Sequence, residues 1–206
     1  MAGNRQGEQT RERILDAALA EFVEKGFDGA RVEDIAKKAG LTKVMLYYHF
    51  NTKENLMAEL MARILQDITE KFEENLAEVD FDDPASIGCH LERMLGYLYD
   101  RREVMRLIMS ESLRGTSGNI GAFTVFGDLF QTISATIRSG NPDQPERHQF
   151  LVRLFFFNVL PVVMYSSLAD EFDRDFELDP AVSRQIFIDA FTRVLYMNFI
   201  IRPGPG

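Results

Sequence analysis

A chain of 206 residues with 46% hydrophobic and 27% charged residues has material for one large domain or two small ones. Its net charge of −9 argues at first sight against a polyanionic partner, and its single cysteine, Cys89, excludes an intramolecular disulfide framework and suits a reducing compartment. The first ten residues are polar, unlike a secretory signal. The longest apolar run, 154–165, is interrupted by Asn158 and Pro161 and falls short of the roughly 20 residues of a membrane span. The expectation is a cytoplasmic protein without a membrane partner.

The periodicity is helical from end to end. Ile14, Leu15, Ala18, Leu19, Phe22 and Val23 form the stripe of an amphipathic helix that stops at Gly26. Val32, Ile35, Ala36 and Ala39 mark a short second helix closed by Gly40. Thr42 can cap a third, 43–50, whose few residues need neighbours to hold them in helical form. A long fourth helix over 53–78 carries Leu56, Leu60, Ile64, Ile68, Phe72 and Leu76. After a break ending at Pro84, which suits a first helical turn, helices are expected over 85–100, 101–114 and 120–138. Two long segments follow, 145–170 and 180–201, separated by an acidic loop at 171–179. The fold class is all-α, with a three-helix helix-turn-helix head over 8–53 and a larger helical body over 54–206.

Charge is unevenly distributed along this plan. Residues 1–53 have a net charge of +1, whereas 54–206 have −10, and 37–53 hold four lysines and no acidic residue. A confined basic window on an acidic protein fits a small polyanion-binding surface. Within that window two short helices joined through Gly40-Leu41-Thr42 fit a helix-turn-helix. Leu46 and Phe50, four apart, would face the other helices, leaving Lys43, Val44, Met45, Tyr47, Tyr48 and His49 on the remaining faces. Such a helix buries itself poorly and suits a major groove, where hydroxyls, imidazole and ammonium meet phosphates and base edges.

Residues 14–60, and most tellingly GLTKVMLYYHF (40–50) followed by NTKENL (51–56), resemble the DNA-binding domain of the TetR family of bacterial transcriptional regulators. The resemblance implies that the third helix reads DNA. Lys43, Val44, Met45 and Tyr47 then become candidates for base edges, and Thr42, Tyr47, Tyr48 and His49 for phosphates. Lys53 matches the family's phosphate-binding lysine beside a helix N-terminus. One position departs from the pattern: the second helix usually opens on Ser or Thr, and here stands Arg31, leaving its contact with DNA open.

The remaining residues carry no catalytic constellation, metal-ligand spacing or phosphate loop, so neither an enzyme nor a cofactor is expected. His90, Met94, Tyr97, Met105, Met109, Phe126 and Phe130 turn inward at helical spacing. By the resemblance they line a pocket for a small, largely apolar effector. The last helix carries two apolar stripes, Val182-Ile186-Ala190-Val194-Met197-Ile201 and Phe187-Phe191-Leu195-Phe199. The helix before it is apolar nearly all round. Two apolar faces call for two partners, and a two-fold homodimer contact through Phe155, Phe187, Phe191 and Val194 is expected. Which stripe meets the partner stays open. Together these features describe a dimeric repressor of double-stranded operator DNA released by a small effector; the alternative is a TetR-like regulator that needs none.

Overall fold

The computed structural model describes residues 2–80, 83–114 and 144–195, and every regular element among them is helical. In chain order these are α1 (Ala2–Gly29), α2 (Val32–Lys38), α3 (Lys43–Phe50), α4 (Lys53–Leu76), α5 (Pro84–Asp100), α6 (Arg102–Arg114) and α7 (Gln144–Leu154). A π-helical stretch, Phe155–Val159, then leads into α8 (Leu160–Asp175), and α9 (Pro180–Leu195) ends the described chain. The helix expected over 120–138, with Phe126 and Phe130, lies outside the described residues, as do Met197, Phe199 and Ile201.

The chain divides into two compact units. The first runs to Ile68 and takes in α6 from Arg106; the second comprises Thr69–Met105 and the helices from α7 onward. The division falls within α4, whose Leu56, Met57 and Leu60 are wholly buried.

In that unit α1 packs on α2 and α2 on α3. Gly26, at φ 70 and ψ 172, breaks the helical path of α1, so the stop expected there is a kink. A buried carboxylate ties the first two helices together. Glu21 is only 2% exposed and pairs with Lys25 and, at 3.0 Å, with Lys38. Those hydrogen bonds, Lys25's first, outweigh its desolvation and hold its pKa below the ordinary carboxylate value.

In the second unit α5 packs against both α8 and α9, and α8 against α9. Asp83 caps α5 by accepting from the N–H groups of Ala85 and Ser86, with Pro84 in the first turn. Pro161 has no N–H to donate and would crowd the carbonyl four residues back. The π-helical stretch just before it, in which the Leu160 N–H reaches the Phe155 carbonyl, absorbs that mismatch. The loop expected over 171–179 is shorter: α8 continues to Asp175. The stop comes two residues later, where Glu177 adopts φ 54 and the Leu178 N–H closes on the Asp173 carbonyl at 2.8 Å, a left-handed helix termination. Taken as one helix, 151–175 is long and apolar enough to cross a membrane by length and composition, which a count of uninterrupted apolar residues misses. Its inward face nevertheless carries Asn158, Ser166, Ser167 and Asp173, the mixed lining of a packed helix.

Candidate nucleic-acid interface

The turn between α2 and α3 is built on Gly40. At φ 68 it takes the left-handed conformation that favours glycine. There the Gly40 and Leu41 N–H groups close on the Lys37 and Ala36 carbonyls at 3.0 and 2.9 Å, a Schellman termination of α2. The Arg13 guanidinium of α1 donates to the Ala39 carbonyl at 2.6 Å, holding the turn from below. Thr42 then starts α3, its hydroxyl accepting from the Met45 N–H at 3.3 Å. Two helices are thus set at an angle by one glycine, one arginine and one hydroxyl.

The inward side of α3 is Leu46 and Phe50, both buried. At about 100° per residue, Val44 and Tyr48 lie across the helix from that pair. They are 77% and 83% exposed, and Met45 is 43% exposed. Lys43 and Tyr47 form one flank, the Lys43 ammonium 5.7 Å from the Tyr47 ring centre. His49 forms the other, half-buried with its ring edge-on to Tyr48 at 5.4 Å. The candidate base-edge and phosphate residues of α3 are therefore gathered on one outward surface. Thr42 sits at its edge, its hydroxyl engaged in the cap.

Two charges behave differently from expectation. The Lys43 ammonium donates to Glu33 of α2 at 2.5 Å. This raises the lysine's pKa and, as the leading influence, lowers that of the glutamate. Sequence periodicity gives no hint of Glu33, because the contact is tertiary. The Lys53 ammonium donates to the Phe27 and Ala30 carbonyls at 2.8 and 3.2 Å and lies 4.4 Å from the Phe27 ring centre. It fastens the start of α4 to the end of α1. Thr52 caps α4 by accepting from the Asn55 N–H at 3.0 Å. Arg31 precedes α2 without capping it and is exposed, contributing to the field that lowers the Glu33 pKa.

The described candidate effector residues are distributed over both units. Met94 and Met105 are buried, and His90 and Tyr97 half-buried, in the second unit. His90 has its ring edge-on to Phe72 at 5.7 Å, its Nδ1 is buried with no hydrogen-bond partner among the described residues, and burial, against a hydrogen bond to the Asn75 backbone, lowers its pKa. The Arg101 guanidinium lies 3.9 Å from the Tyr97 ring centre. Met109 is half-buried on α6 in the first unit. Of the candidate dimer residues, Phe155 and Phe191 are buried in their own unit. Phe187 is sandwiched between Tyr165 and Phe191, at 4.1 and 5.4 Å. Packing thus turns Phe187 and Phe191 inward and leaves Val182, Ile186 and Val194 exposed. Among the described residues no cluster of three or more His, Cys, Asp or Glu could hold a metal ion.

Among the described residues every element is helical, and α2, its turn and α3 form a helix-turn-helix whose second helix turns its polar and small apolar side chains outward. Residues 14–60 match the family described as bacterial regulatory proteins, tetR family. Over these residues the chain is similar to the DNA-binding domain of that family. It is 44% identical over 57 residues to the HTH-type transcriptional regulator SrpR of Pseudomonas putida, covering 28% of this chain and 27% of that one. It is 32% identical over 109 residues to the HTH-type transcriptional repressor SCO4008 of Streptomyces coelicolor, covering 53% of each. The chain thus spans about half or less of the length of these curated relatives. The solved fatty acid degradation regulator FadR from Bacillus halodurans superposes with a TM-score of 0.62 at 16% identity, over 90% of this chain and 93% of that one. This likeness establishes the fold.

Proposed function

We propose that this chain is a dimeric, operator-binding transcriptional repressor released from DNA by a small, largely apolar effector. The observation that carries the reading is the outward face of α3. Lys43, Val44, Met45 and Tyr48 are exposed while Leu46 and Phe50 anchor the helix from behind, the arrangement a helix needs to enter a major groove. That SCO4008 is named a repressor supports the sign of regulation. The dimer reading rests on the second unit, where the packed pair α8 and α9 leaves Met164, Leu168 and Phe172 exposed on one helix and Val182, Ile186 and Val194 on the other. A two-fold mate would cover both stripes as a four-helix contact. The effector reading rests on His90, whose Nδ1, beside Phe72 and without a partner among the described residues, gives an apolar compound one polar handle. A compound that favours the released state must, by linkage, bind less well when operator DNA is present.

Titration of labelled duplex DNA across a salt series tests the central reading. Affinity should fall steeply with salt as phosphates take lysine and arginine in place of counterions. Lys43→Ala should change sequence preference at one or two base pairs, by about 1–3 kcal/mol if the ammonium reaches a base. Should it instead meet a phosphate, the salt slope would drop by about 1 with preference intact. Binding and selectivity both unchanged in Lys43→Ala would remove α3 from the interface.

A further inference from the structure

The outermost side chains of α3 are unusual for a surface helix. Val44 is a β-branched apolar residue at an exposed helical position, where helix propensity disfavours it, and none of its own unit covers it at 77% exposure. Met45, next to it in the first turn, is 43% exposed. The nearest strong polar group in that turn, the Lys43 ammonium, is engaged by Glu33 at 2.5 Å. The N-terminal turn of a reading helix is the part that meets base edges, so the groove floor would face a small apolar surface flanked by a tethered cation. Among groups exposed in the major groove, the thymine 5-methyl is the apolar one.

We infer that Val44 and Met45 read thymine methyl groups, so that the preferred half-site places at least one thymine where the first turn of α3 meets the groove. This inference rests on the proposed reading of α3 as the DNA-entering helix and goes beyond it by naming the base feature recognised. The Lys43–Glu33 pair draws the ammonium toward α2, beside this apolar surface. An exposed pair of this kind is weak, so the lysine can still exchange its partner for a phosphate or a guanine edge.

The test uses the full-length protein and the duplex most enriched from a random-sequence pool, alongside the same duplex with deoxyuridine replacing thymidine one position at a time. Deoxyuridine preserves pairing and removes only the methyl group. Affinity should fall about fourfold at one or two positions in each half-site, the size expected for one buried methyl, and stay unchanged elsewhere. Val44→Ala should bind the thymidine duplex more weakly by a similar factor and lose the distinction between thymidine and deoxyuridine at one of those positions. Because alanine is the better helix former at an exposed site, the variant should keep its helicity. Specific binding with no sensitivity to any deoxyuridine would overturn the inference and leave the reading of α3 standing. So would a Val44→Ala, Met45→Ala protein that still discriminates. A pool from which no duplex is enriched would overturn the reading of α3 and this inference with it.

Discussion

Lys53 shows how far a single side chain can depart from its place in a motif. Its ammonium is committed to the Phe27 and Ala30 carbonyls and to the Phe27 ring, satisfying acceptors that the kink at Gly26 leaves at the end of α1. Lys53→Ala should therefore destabilise the protein before it weakens any phosphate contact. Losing charge-assisted hydrogen bonds of about 1.5–3 kcal/mol should lower Tm by about 3–12 °C in a thermal melt. A variant with an unchanged Tm and a uniformly weaker affinity for DNA would return Lys53 to the phosphate role. The basic window itself was legible as composition, yet its electrostatics were not. Lys38 pairs with Glu21 and Glu24, and Lys43 with Glu33, all acids that lie upstream of the window. A gap between acidic residues along the chain is not a gap in space once α1 and α2 fold back on it.

At the scale of elements, the helix-turn-helix was legible because its signals are local. Gly40 in a left-handed turn, the Thr42 hydroxyl cap and the inward pair Leu46 and Phe50 each follow from residue type and spacing. The turn's support from Arg13 comes from another helix and has no signal in the sequence. Gly40→Ala tests both together. A Cβ there would stand 2.9 Å from the Arg13 Nη2 while the backbone holds φ 68. The left-handed strain alone costs about 1–2 kcal/mol. Urea unfolding should show at least that loss, and Gly40→Ala with Arg13→Ala should relieve the crowding but not the strain. Full stability in Gly40→Ala would mean the turn can be remade without a left-handed residue. The π-helical stretch before Pro161 and the extension of α8 to Asp175 were less legible. One is a response to a missing N–H, and the other depends on Asp173 being turned into the interior, which an acidic run does not reveal by itself.

For the molecule as a whole, the sequence offered two apolar stripes on the last helix and no means to choose between them. In the structure Phe187 stacks with Tyr165 and with Phe191 inside the unit, and Val182, Ile186 and Val194 remain outside. If that outward stripe is the homodimer contact, Ile186→Arg or Leu168→Arg should convert the dimer to a monomer in sedimentation, with helicity kept, because a charge placed in an apolar contact costs several kcal/mol. An unchanged dimer in both would move the contact elsewhere. The central claim is that two copies of α3 are presented by a two-fold dimer to duplex DNA. Its most direct test is selection of bound duplexes from a random-sequence pool, followed by sequencing. The account predicts an enriched inverted repeat whose half-sites lie on one face of the duplex, about one helical turn or a multiple apart. Enrichment of a single unrepeated site, or of no sequence at all, would contradict it.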